Sequence, residues 1–172
     1  MDYYEGVVVN YLRADRSVFV NTEYCIQIKP GKLINNRDKD GPVWYCDAVA
    51  LDFGSKVIFL CEISYATNLG DLTRRLRDWH NNWEKLCAAL KRDSRISEFS
   101  WPVHPWLFVP KDCVQTLEKA LKKIEKEPPK LDAKITPLED VPPWRFHYDV
   151  VPGQPRVEMP LKKVDKDTSR IC

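Results

Sequence analysis

Asp47 and Glu62 are the residues whose types and spacing point to chemistry. They lie in two strand-like runs, Val43 to Phe53 and Lys56 to Ser64, joined by Gly54-Ser55. A two-residue connection with Gly first is what a type II′ hairpin turn requires. Phe53 then pairs with Lys56, and the pairing runs outward on one face through Leu51–Ile58, Val49–Leu60 and Asp47–Glu62 to Tyr45–Ser64. Like charges directly opposite each other destabilise a sheet, because their Cβ atoms are only about 4.5–5.5 Å apart. Either one carboxylate is exposed to solvent at the sheet end, or one of two arrangements compensates them. A hard divalent cation such as Mg2+ takes carboxylate oxygens and suits metal-assisted phosphodiester hydrolysis. Alternatively, a guanidinium from the next helix, Arg74 or Arg75, pairs with one carboxylate.

The elements that must hold this pair can be read on either side of it. Tyr3 to Leu12 carries an apolar stripe of Val7, Val8, Tyr11 and Leu12 at helical spacing, with Asp2 as N-cap. Val18 to Ile28 is rich in β-branched and aromatic residues and stops at Pro30-Gly31, as a strand does, and Lys29 to Pro42 reads as a loop. From Leu69, apolar residues recur every three or four positions to Leu90, which predicts one amphipathic helix of about six turns. Its Trp79 and Trp83 belong to the buried stripe. Trp106 to Val109 reads as a buried strand, and Asp112 caps a helix carrying Val114, Leu117, Leu121 and Ile124. The order is α-β-β-β-α-β-α: a three-layer α/β/α fold on a mixed sheet of about four strands.

An Asp on the second strand, fourteen residues, and then Glu at the end of the third strand, in this order of elements, resembles the PD-(D/E)XK (restriction-endonuclease-like) nuclease superfamily. The resemblance covers roughly Tyr3 to Ile124. It implies that Asp47 and Glu62 bind Mg2+ or Mn2+, with Glu5 on the first helix as a third acidic ligand and Glu23 as its substitute. It implies a Mg2+-dependent nuclease acting on nucleic acid, DNA ahead of RNA, and it is compatible with a homo-oligomer. The family's catalytic lysine falls at Ser64, which carries no charge. Lys56 is on the same face but about 20 Å away along the strand at 3.3 Å per residue. Arg74, Arg75 or Arg77 from the helix, or Lys29 and Lys32 from the first loop, are the cations left to replace it. Arginine stays protonated, so it binds phosphate without shuttling protons. The departure at Ser64 therefore sets an inactive interaction or nucleic-acid-binding module of the same fold beside the nuclease.

Arg74, Arg77, Asn81 and Lys85 fall three or four apart away from the apolar stripe, a row that can follow a phosphate backbone or form a solvated helix face. The formal net charge is only +2, so any nucleic-acid contact must come from such a local patch. His80, His104 and His147 have no nucleophile at a recognised spacing, and no glycine-rich phosphate loop is present. The six cysteines show no zinc-ligand spacing and read as free thiols of a reducing cytoplasm. The apolar runs are too short to span a bilayer, and Asp2 and Glu5 stand where a secretory signal would be basic. Residues 1–127 thus read as the domain. Residues 128–172, which hold most of the chain's 13 prolines, read as an extension docked in part through Trp144 and Phe146.

Overall fold

The computed structural model describes residues 3–28, 43–93 and 100–141. Helix α1 (Tyr3–Ala14) leads into strands β1 (Val18–Gln27), β2 (Val43–Asp52) and β3 (Val57–Ile63). Helices α2 (Gly70–Asn81) and α3 (Trp83–Asp93) follow, then β4 (Val103–Val109), α4 (Val114–Ile124) and β5 (Lys134–Pro137). The five strands form one mixed sheet in the order β1-β2-β3-β4-β5. β1, β2 and β3 are an antiparallel meander, whereas β4 and β5 run parallel to β3. The β3-β4-β5 half is therefore built through helical crossovers, as parallel neighbours require.

Both faces of the sheet are covered. Val8, Val9, Tyr11, Leu12 and Ala14 of α1 pack on Ala48, Ala50, Phe59, Cys61, Trp106 and Phe108. On the opposite face Leu72, Leu76 and Trp79 of α2, Leu86 and Leu90 of α3 and Leu117 of α4 pack on Ile26, Val49, Ile58, Leu60 and Leu107. Because β3 and β4 are buried on both sides, they read as continuous apolar runs.

The structure corrects several local expectations. The long helix from Leu69 is two helices, broken at Asn82, whose side-chain amide donates to the Asp78 carbonyl at 3.1 Å. Asparagine offers the backbone this alternative to the helical ladder. Trp79 and Trp83 lie either side of the break and are both buried. Asp112 does not cap α4. It lies in a single 3-10 turn, Lys111–Cys113, that follows Pro110, and α4 begins without a side-chain cap. The hairpin loop is Phe53 to Lys56 rather than two residues. Its ladder closes at Asp52–Val57, Lys56 takes a φ of 58°, and the Asp52 carboxylate accepts from the Ser55 N–H and hydroxyl. The expected register nevertheless holds through Leu51–Ile58, Val49–Leu60 and Ala48–Cys61.

The extension after Pro128 supplies a fifth strand. β5 pairs with β4, Thr136 accepts a hydrogen bond from the Trp106 indole at 2.8 Å, and Leu131 and Val141 are fully buried. Asp2, the residues from Lys29 to Pro42 expected to form a loop, Trp144, Phe146 and His147 lie outside the described residues. Because Leu131 packs in the same cluster as Leu60 and Leu107, Leu131→Ala should lower the unfolding free energy by roughly 2–5 kcal/mol in urea denaturation, the usual loss for a buried leucine. A change below about 0.5 kcal/mol, as for an ordinary surface substitution, would show that the core ends before this segment.

Candidate acidic site

The acidic pair sits where the sheet changes face. β1 and β2 keep one register throughout, but the ladder skips Glu23 and Asp47 between Thr22–Ala48 and Tyr24–Cys46. On one side of this gap Val18, Val20, Ala48 and Ala50 pack towards α1. On the other side Tyr24, Ile26, Trp44 and Cys46 pack towards α2, α3 and α4. Glu23 takes a φ of 53°, the left-handed region in which non-glycine residues are uncommon. Both strands rotate together at this seam, so the alternation that governs Val49 and Leu51 does not continue to Tyr45. Tyr45 is exposed rather than opposite Ser64.

Asp47 and Glu62 stand one step beyond the last β2–β3 pair, Ala48–Cys61. Ser64 donates its N–H to the Phe108 carbonyl of β4 at 2.9 Å. By alternation the Ile63 N–H points the other way, towards β2. There it donates to Asp47 Oδ2 at 2.6 Å. The Asp47 carboxylate thus stands in for a backbone acceptor where the ladder has opened.

Glu62 is buried, and its Oε2 accepts from the Arg75 guanidinium of α2. Its Oε1 is buried without a hydrogen-bond partner. Burial, followed by the neighbouring Asp47 charge, pushes the Glu62 carboxyl from its ordinary 4.5 up to about 8, against the opposing pull of Arg75. Arg75 thus offsets part of the repulsion from Asp47, and burial favours the protonated form of Glu62. Burial and then Glu62 also push the Cys46 thiol up, and burial does the same to Cys61, so neither is a thiolate nucleophile.

The remaining expected residues are distributed around this centre. Glu5 lies in the first turn of α1 and is half-buried, and Glu23 lies across from Asp47 on β1. Among the described residues, no group of three or more His, Cys, Asp or Glu side chains is placed to hold a metal ion. Ser64 is the residue after β3 and is half-buried. Of the arginines offered as lysine substitutes, Arg75 reaches the pair. Arg74, Arg77 and Asn81 are exposed on α2, with Arg74 paired to Asp71 at 2.9 Å. Lys85 is exposed on α3, beyond the break, so the expected row is not continuous.

A hard divalent ion does not fit this arrangement as it stands. Arg75 holds one oxygen of Glu62 and puts a fixed positive charge at the site, while the surroundings favour a proton on that carboxylate. The unpartnered Glu62 Oε1 is the one atom whose state a cation would improve. Sequence reading missed a second feature here. Tyr65, just after Ser64, stacks on Tyr4, just before Glu5, with ring centroids 5.1 Å apart. Its trace in the sequence is that Tyr3 and Tyr4 stand outside the apolar stripe of α1.

Compared with protein-family models, with curated proteins and with solved structures, the chain matches none. Among the described residues no helix is long and apolar enough to cross a membrane.

Because Glu62 holds its proton more tightly when folded than when unfolded, it favours the folded state fully below about 4.5 and progressively less as the pH rises to about 8. Glu62→Gln removes this titration. The melting temperature of the parent should therefore fall more steeply across that window than that of Glu62→Gln. Parallel pH profiles would show that Glu62 ionises at its ordinary value.

Proposed function

We propose that this chain is a nuclease-like α/β domain of the PD-(D/E)XK type that binds nucleic acid without cleaving it. The order of elements supports the fold reading: one helix, an antiparallel three-strand meander, helices, and a strand parallel to β3. So does the position of the two acids, Asp47 on β2 and Glu62 near the end of β3.

One observation carries the loss of cleavage: Arg75 occupies Glu62. The lysine of the resembled family would come from the strand, two residues after the acid, where Ser64 now stands. The positive charge comes instead from a helix and is committed to the carboxylate. A guanidinium does not give up its proton, so it offers no base to activate water. The exposed Arg74 and Arg77 on the same helix support a role in holding phosphates.

A second reading is Mg2+-dependent phosphodiester hydrolysis at the same pair. The unpartnered, buried Oε1 of Glu62 favours it.

Incubation with plasmid or single-stranded DNA in millimolar Mg2+ or Mn2+ separates the two. The expected result is intact DNA and a melting temperature that neither ion moves, since an ion that binds only the folded state raises stability by mass action. Cleavage that disappears in Asp47→Ala would establish the second reading.

A further inference from the structure

The two edges of the sheet are built differently. β5 is four residues long, opens with Lys134 and closes with Pro137, all features that discourage a further strand from pairing. β1, at the other edge, runs for ten residues without Lys, Arg or Pro, and Glu23 is its one charged residue. Among the described residues no strand flanks its outer side. A long, nearly uncharged edge of this kind is a template for another strand.

The turnover at Glu23 decides which strand fits. Before it, Val18 and Val20 face α1, so Phe19 points to the opposite side of the sheet, where it is 62% exposed. After it, Tyr24 and Ile26 face the cluster that holds Leu86, Ala89 and Leu90 of α3, and the Arg92 guanidinium donates to the Gln27 carbonyl. Cys25 and its cross-strand neighbour Tyr45 therefore point to the α1 side, and both are exposed. Each half of β1 is covered by a helix on one face and bare on the other, and the two halves are bare on opposite faces. A second β1, laid antiparallel about a twofold axis normal to the sheet, sets the first half of each strand beside the second half of the other. On either face a bare half then adjoins a half that carries α1 or α3 of the second copy.

Side chains directly opposite in an antiparallel pair lie on the same face. Because alternation reverses at Glu23, the first half of β1 matches residues of opposite parity in the second half. The pairing that uses the whole strand sets Val18 opposite Gln27, Phe19 opposite Ile26, Val20 opposite Cys25, Asn21 opposite Tyr24 and Thr22 opposite Glu23. The strand's one charge thus meets a threonine and not its own copy, so no like-charge pair arises. We propose that β1 pairs with β1 of a second copy in this register, giving a twofold homodimer with one continuous sheet, in which α3 of the second copy covers Phe19. The dimer forms whether or not the chain binds nucleic acid.

The test is sedimentation velocity of the full chain over a range of concentrations, where a monomer–dimer equilibrium is expected. Phe19→Lys sets an ammonium against Ile26 of the second copy, and it does so twice in a twofold contact. It should weaken the dimer at least about 10-fold, as loss of a central apolar anchor does. At dilution its melting temperature should equal that of the parent, since Phe19 is exposed in the single chain. Val20→Cys reports the register independently. The introduced thiol faces the native Cys25 of the second copy, so mild oxidation should join positions 20 and 25 in a disulfide between chains, located by peptide mapping and reversed by reductant. Within one chain these positions are about 17 Å apart at 3.3 Å per residue, beyond the reach of a disulfide. A chain that stays monomeric at every concentration, a dimer that Phe19→Lys leaves intact, or a Val20→Cys protein that does not cross-link through Cys25 would overturn the proposal.

Discussion

The burial of Glu62 is the constraint around which this end of the domain is organised. A carboxylate removed from water loses several kcal/mol of solvation unless it is paired or protonated. Glu62 sits on β3, flanked by β2 and β4 and covered by α2, with a second carboxylate at the adjoining position of β2. Arg75 answers part of this demand. Its placement follows from apolar packing, because Leu72, Leu76 and Trp79 fix the rotation of α2 against the sheet. Arg75 then emerges beside that stripe, half exposed, within reach of the end of β3. The aliphatic part of an arginine can lie along apolar surface while its head reaches a charge. Packing of the helix and neutralisation of the acid are thus one arrangement.

The seam between Glu23 and Asp47 is the second determinant. An ordinary bulge adds a residue to one strand and shifts the pairing. Here β1 and β2 turn over together and the register is kept. Cys46 and Val49 can therefore face the same core although three residues separate them. The turnover also opens the β2–β3 ladder, and that opening creates the need for Asp47 to accept from Ile63. Asp47 therefore has a backbone role at its position independent of any ligand.

Much of this was legible in the sequence where one physical rule acted alone. Period-two alternation and turn chemistry placed β2 opposite β3 in the correct register, although the loop is longer than the Gly54-Ser55 pair suggests, and three-to-four spacing found α1, α2 and α4. Arg75 was legible, beside Arg74, as an arginine able to pair with one carboxylate, but the burial of Glu62 was not. The failures arise where two rules compete. Asn82 breaks a continuous apolar period because its amide bonds to a backbone carbonyl. Strict alternation fails at Asp47 because a neighbouring strand turns over with it, which no single strand's pattern encodes. β5 is four residues long and gains its place only by pairing with β4, so its own composition carried little signal. The Tyr4–Tyr65 stack joins segments distant in sequence, and periodicity is blind to such contacts.

That the cation beside Glu62 is an arginine matters for more than its charge. An ammonium is a compact cation that can shift its pKa and pass a proton, whereas a guanidinium is planar, stays charged, and matches carboxylates and phosphates equally well. Glu62 and an incoming anion therefore compete for the same group on Arg75. An anion that draws Arg75 away leaves Glu62 with burial and the charge of Asp47, both of which favour a proton. Anion binding at Arg75 and proton uptake at Glu62 must then strengthen each other, since linkage between two sites is reciprocal. Whatever else approaches this end of the sheet, the charge on Arg75 and the proton on Glu62 are set together.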